Sequence, residues 1–132
     1  MSLRIAQVTL VVREYEEAIA FYRDRLGFTL IEDVALGDGK RWVVVAPPGD
    51  EGCRLLLARA ADDMQVGRIG DQTGGRVGFF LETDDFARDH AAYVAAGVQF
   101  LEPPRQEKYG TVAVFEDLYG NRWDLIERVQ SS

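Results

Sequence analysis

One half of this sequence is a version of the other, and that repetition limits the available folds more than any other feature. A helical stretch in each half ends at a glycine followed by strand residues, Gly27-Phe28 and Gly97-Val98. Each half then closes with a glycine turn into a strand. The first closing run is Gly52-Cys53-Arg54-Leu55-Leu56-Leu57, the second Gly120-Asn121-Arg122-Trp123-Asp124-Leu125. That alignment sets Arg54 against Arg122 and Leu56 against Asp124. Gln7 stands twenty residues before Gly27, and Gly78 nineteen before Gly97, so the halves slip by a single loop residue.

The elements between these markers follow from periodicity. Leu3–Val12 alternates, with Val8, Leu10 and Val12 on one face and Gln7, Thr9 and Val11 on the other, as a half-buried strand does. Glu14–Leu26 carries Ala18, Ile19, Phe21, Tyr22 and Leu26 at helical spacing. Its acidic first turn and basic last turn suit the macrodipole, and Gly27 suits a helix stop. Strands follow at Phe28–Val34, Arg41–Ala46 and Cys53–Ala58, separated by Gly37-Asp38-Gly39 and by Pro47-Pro48-Gly49-Asp50-Glu51-Gly52. Residues 59–75 lack a pattern and read as a connecting loop with room for a short helix. The order then returns: strand Arg76–Thr83, helix Asp84–Ala96 with Asp84 as its N-cap, strand Val98–Glu102, and a final hairpin Thr111–Glu127. The prediction is an α+β fold of two tandem β-α-β-β-β modules. It forms one domain over residues 1–132, with module one at about 3–59, the loop at about 60–75 and module two at about 76–128.

Composition removes several classes of function. The formal net charge of −7 gives no basic footprint for nucleic acid. No apolar run approaches the length of a membrane span. The opening Met-Ser-Leu-Arg lacks the apolar core of a signal peptide. Cys53 is the only cysteine, which rules out an internal disulfide and fits a reducing, cytoplasmic setting.

The run AIAFYRDRLG at Ala18–Gly27, the stretch from Thr83-Asp84-Asp85-Phe86 to Ala95-Ala96-Gly97-Val98, and Asp117-Leu118-Tyr119-Gly120-Asn121 point further. With Val8–Val12 they make the chain resemble the glyoxalase, bleomycin-resistance and extradiol-dioxygenase superfamily, the vicinal oxygen chelate fold. The resemblance covers nearly the whole length. It implies a cupped mixed sheet with helices outside, and commonly a divalent metal held by one residue from the first and one from the last strand of each module. Those positions here are Gln7, Leu56, Gly78 and Asp124. Gln7 can offer an amide oxygen, and Asp124 stands where a glutamate is usual. Leu56 and Gly78 offer no ligand atom. If a divalent metal is held, Gln7 and Asp124 hold it. His90, the only histidine, falls on a helix behind the sheet.

Strand parity names the lining of such a cup: Gln7, Thr9 and Leu56 from the first module, Gly78, Phe80 and Asp124 from the second. Gly78 adds room. Trp42 either lines or backs the cup, and Tyr109, in Lys108-Tyr109-Gly110, forms a lip over it or belongs to an ordinary loop. Phe80 and Trp42 suit sheet packing and ligand contact equally. Asp124 has candidate partners in Glu82, as a carboxylate pair, or in Arg54 or Arg122, as ion pairs. Two functions from different classes stay open, with no catalytic residue assigned. One is a small-molecule-binding protein without a complete metal site, working as a homodimer. The other is a metal-dependent lyase, isomerase or dioxygenase of the glyoxalase type. A third reading is an interaction module whose interior is filled by its own side chains.

Overall fold

The computed structural model describes residues 2–49 and 52–129, so Asp50 and Glu51 of the second predicted turn lie outside it. The chain divides into two compact units, Met1–Ile69 and Gly70–Ser132.

In the first unit, β1 (Gln7–Val12) leads to α1 (Tyr15–Ile19), which passes into a π-helical stretch, Ala20–Arg25. Then come β2 (Thr29–Gly37), β3 (Lys40–Ala46), β4 (Arg54–Arg59) and the short α2 (Asp63–Val66). The sheet order is β1-β4-β3-β2, with β1 parallel to β4 and the other pairs antiparallel. A parallel pair needs a crossover, and the helix supplies part of it. The expected regular helix over Glu14–Leu26 is therefore regular only in its first part. The buried side chains Ala18, Tyr22 and Leu26 recur every four residues. Such a series overshoots a 3.6-residue turn and falls short of the wider π turn, so passing from one to the other offsets the drift. The bond from Leu26 N–H to the Phe21 carbonyl, 3.2 Å, spans that wider turn.

The helix is fastened to the sheet by Tyr15. Its hydroxyl accepts the Arg41 backbone N–H at 3.1 Å. Its ring carries the guanidinium groups of Arg41 and Arg59, each 5.2 Å from the centroid. Arg41 also binds Glu16 at 2.5 Å and Asp33 at 2.6 Å, and the bond from Arg41 holds the Asp33 carboxyl below the ordinary carboxylate range.

In the second unit, β5 (Val77–Glu82) precedes α3 (Phe86–Ala95), β6 (Gln99–Phe100), β7 (Arg105–Glu107), β8 (Gly110–Glu116) and β9 (Arg122–Arg128). The order is β5-β9-β8-β6, with β7 also on β8, and β5 runs parallel to β9. On the helix side, Trp123 stacks between Phe79 and Phe115 at 4.7 and 5.8 Å. Tyr93 of α3 meets Phe115 edge-on at 5.7 Å. Burial pushes the Tyr93 hydroxyl well above its ordinary value. The N-cap of α3 is Asp85, one residue later than expected. Asp85 accepts the Arg88 N–H at 3.1 Å, while Asp84 bonds the Arg88 guanidinium at 3.0 Å instead.

The predicted strand Val98–Glu102 is cut to two residues, and β7 was not expected at all. Pro103 and Pro104 have no N–H for the ladder, so pairing with β8 breaks there. The Glu102 carboxylate fills the gap by accepting the Val114 N–H at 3.1 Å, and Leu101 N–H reaches the Val114 carbonyl at 2.8 Å.

Gly110 opens β8 at φ 151°, and a Cβ there would sit 2.1 Å from the Glu127 carbonyl oxygen of β9. Gly110→Ala should destabilise the fold by about 2–4 kcal/mol, from strain and overlap together. Gly52→Ala, with open space and ordinary backbone, should be near neutral. Urea unfolding of the two variants checks both.

Candidate functional site

β9 lies between β5 and β8, which puts Asp124 in the interior of the second sheet. The ladder sets Phe80 on one side of Asp124 and Val114 on the other. Alternation turns Trp123 into the aromatic stack under α3 and Asp124 to the opposite face. Asp124 is 8% exposed, whereas Phe80, its neighbour in register, is 65% exposed. A large aromatic left open in a sheet beside a buried carboxylate is the unusual feature of this unit. No donor among the described residues reaches the buried Asp124 Oδ1.

The charge around Asp124 comes from the segment that broke β6 from β7. Arg105 and Glu102 both act on it. Burial pushes the Asp124 carboxyl above the ordinary carboxylate value, Arg105 pulls it back, and Glu102 pushes it up again. Arg105 is itself engaged: Nε bonds Glu102 at 3.0 Å, Nη1 bonds Glu107 at 2.7 Å, and Nη1 donates to the Tyr109 hydroxyl at 3.4 Å. The ionic neighbours of Asp124 are thus Arg105 and Glu102. Arg122, the sequence candidate in this unit, lies opposite Glu116 in the ladder. Arg54 belongs to the first unit, beside Gln7. Glu82 is not a second carboxylate for Asp124, because it pairs with Arg128 at 3.0 Å and both side chains are largely exposed. Arg105 and Glu102 carried no motif. Their only sequence signal was the Pro-Pro break between two charged residues.

Gly78 does not open a space. A Cβ there would meet the Thr73 methyl at 2.6 Å, so a residue of the preceding loop already fills the position. The ladder is irregular between Val77 and Phe79, which leaves Gly78 outside the regular pairing. Tyr109 sits in the two-residue turn joining β7 to β8, tied by the Val129 N–H to its carbonyl at 2.8 Å. His90 lies on the opposite side from Asp124, against Phe86 at 5.3 Å and Phe100 at 4.4 Å.

In the first unit the ladder aligns Thr9, Leu56, Val44 and Glu32 in one row, with Gln7 two residues before Thr9 on the same face. Trp42 stands two residues from Val44, so it shares that face, away from α1. Its indole N–H donates to Glu32 Oε2 at 2.9 Å. Trp42 is 37% exposed. Cys53 precedes β4 and is exposed.

The donors present do not make a metal set within either unit. No group of three or more His, Cys, Asp and Glu suited to an ion occurs among the described residues. In the first unit Gln7 shares its face with Leu56. In the second, Asp124 shares its sheet with Gly78, and the nearby Glu102 is bonded by Arg105 and the Val114 N–H. An ion held by a single side chain would keep most of its hydration.

Comparison with known proteins places the geometry in context. The family model for the Glyoxalase/Bleomycin resistance protein/Dioxygenase superfamily matches residues 4–125. A protein of Shewanella frigidimarina (strain NCIMB 400) is 54% identical over 96% of this chain and 95% of its own. Among solved structures, UcmS2 superposes with a TM-score of 0.83 at 27% identity, covering 96% of this chain and 98% of that one. TnmS3, an antibiotic binding protein from Streptomyces sp. CB03234, gives 0.77 at 30% identity, covering 98% and 99%.

The Asp124 environment has a consequence for stability. Its carboxyl holds a proton more tightly folded than unfolded, so the native state binds more protons between the two values. Stability relative to Asp124→Asn should therefore fall as pH rises from the ordinary aspartate range, then level off above the raised value. Above the raised value, where the carboxylate is charged, Asp124→Asn should be the more stable by about 1 kcal/mol, since a buried charge that no described residue hydrogen-bonds is removed. Thermal unfolding of both proteins from pH 3 to 8 checks the sign.

Proposed function

The chain belongs to the Glyoxalase/Bleomycin resistance protein/Dioxygenase superfamily, and from that premise we propose that it binds a small organic molecule without a complete metal site. The observation that carries this reading is the pairing of exposed Phe80 with buried Asp124 on one sheet face. Ligand sites are mostly apolar surfaces with a few placed polar groups, and this face has both. The antibiotic-binding activity named for TnmS3 supports the same class of function. The ligand-facing side chains are Phe80, Asp124 and Tyr109 in the second unit, and Gln7, Thr9, Leu56 and Trp42 in the first. Gly78 contributes no space of its own. The protein works in the cytoplasm as a homodimer, the latter an expectation carried by family resemblance.

A thermal-shift screen of a diverse small-molecule library against the full chain tests the reading. Hits should raise the melting temperature, and Phe80→Ala should weaken them about tenfold, the loss of one aromatic contact. No hit, or hits indifferent to Phe80→Ala, overturns the proposal. One divalent ion per chain in protein purified without chelators overturns its metal-free part and favours the enzyme reading. For assembly, light scattering coupled to size exclusion should give a mass near twice 14.8 kDa. A single-chain mass overturns the dimer.

A further inference from the structure

On the strength of that reading, we infer that the ligand taken by the Phe80–Asp124 face is a cation, an amine carried on an aromatic or apolar body. The argument is one of charge and satisfaction. The charges acting on Asp124 are one further carboxylate, Glu102, and one guanidinium, Arg105, which is itself shared with a second carboxylate, Glu107. Arg105 bonds Glu102, Glu107 and Tyr109 through Nε and Nη1 and gives Asp124 only its field. The other ion pair of this sheet, Glu82 with Arg128, is balanced and adds no net charge.

The cluster therefore keeps excess negative charge, and its most buried member has an oxygen that no described residue bonds. Asp124 is more than nine-tenths buried, so this is not a solvated acidic patch. A ligand carboxylate or phosphate would meet repulsion from Asp124 and Glu102, with only Nη2 of Arg105 left to donate to it. A ligand ammonium supplies what the cluster lacks, a donor and a counter-charge together. The terminal torsion of aspartate is broad and two-fold, so its two oxygens exchange places easily. Phe80, next in register and open, offers its ring face to the same cation or to the body that bears it.

Isothermal titration of the full chain with three probes of one shape tests this: 2-naphthylmethylammonium, 2-naphthylmethanol and 2-naphthoate. The ammonium should bind about tenfold or more tightly than the alcohol, and the carboxylate weakest. Asp124→Asn, which keeps the side-chain shape, should bring the ammonium to within about threefold of the alcohol. Phe80→Ala should weaken ammonium and alcohol alike. Added salt should reduce ammonium binding more than alcohol binding. Equal affinity for ammonium and alcohol, a preference for naphthoate, or an ammonium preference that survives Asp124→Asn in folded protein overturns the inference. In each of those outcomes binding itself persists, so the small-molecule reading stands. If none of the three binds, the inference falls, and the library screen separately decides the broader reading.

Discussion

Everything in this molecule depends on the closing strand of each unit lying parallel beside the opening one. β4 is inserted between β1 and β3, and β9 between β5 and β8. Parallel pairing forces the chain to leave the sheet and return, and the helix makes that journey. With helix on one face, the alternate side chains of the central strand divide sharply. Leu57 and Leu125 go under the helices and are fully buried. Leu56 and Asp124 go to the other face. A carboxylate in the middle of a sheet is thus a result of topology, and its desolvation follows from having a strand on each side.

Much of this was legible in the repeat. The paired glycine stops, the alternation in Leu3–Val12 and the valines of Arg41–Ala46 placed the strands and helices, and the family resemblance agreed with the fold. Parity put Asp124 on one face with Phe80, as the ladder has it, because alternation is a local rule. Parity on β1 likewise kept Gln7 with Thr9.

What sequence did not disclose depended on contacts between distant segments. The filling of Gly78 by Thr73 arises from a loop with no pattern of its own. The break at Pro103-Pro104 was visible, but not that Glu102 would replace a missing backbone acceptor and draw Arg105 with it. The face of Trp42 was settled only by the register of β3 on β4 and β2. The π-helical turns at Ala20–Arg25 were hidden because apolar spacings of three and four look alike until burial selects between them.

The Thr73–Gly78 contact bears on how such a site can change over time. A side chain at position 78 needs the Thr73 methyl out of its way. Here any single replacement of Gly78 collides with the Thr73 methyl. A donor at that position therefore needs the Thr73 side chain to turn away or be shortened as well. Positions 73 and 78 are thus coupled by shape, and a change at one is accommodated most easily by a change at the other.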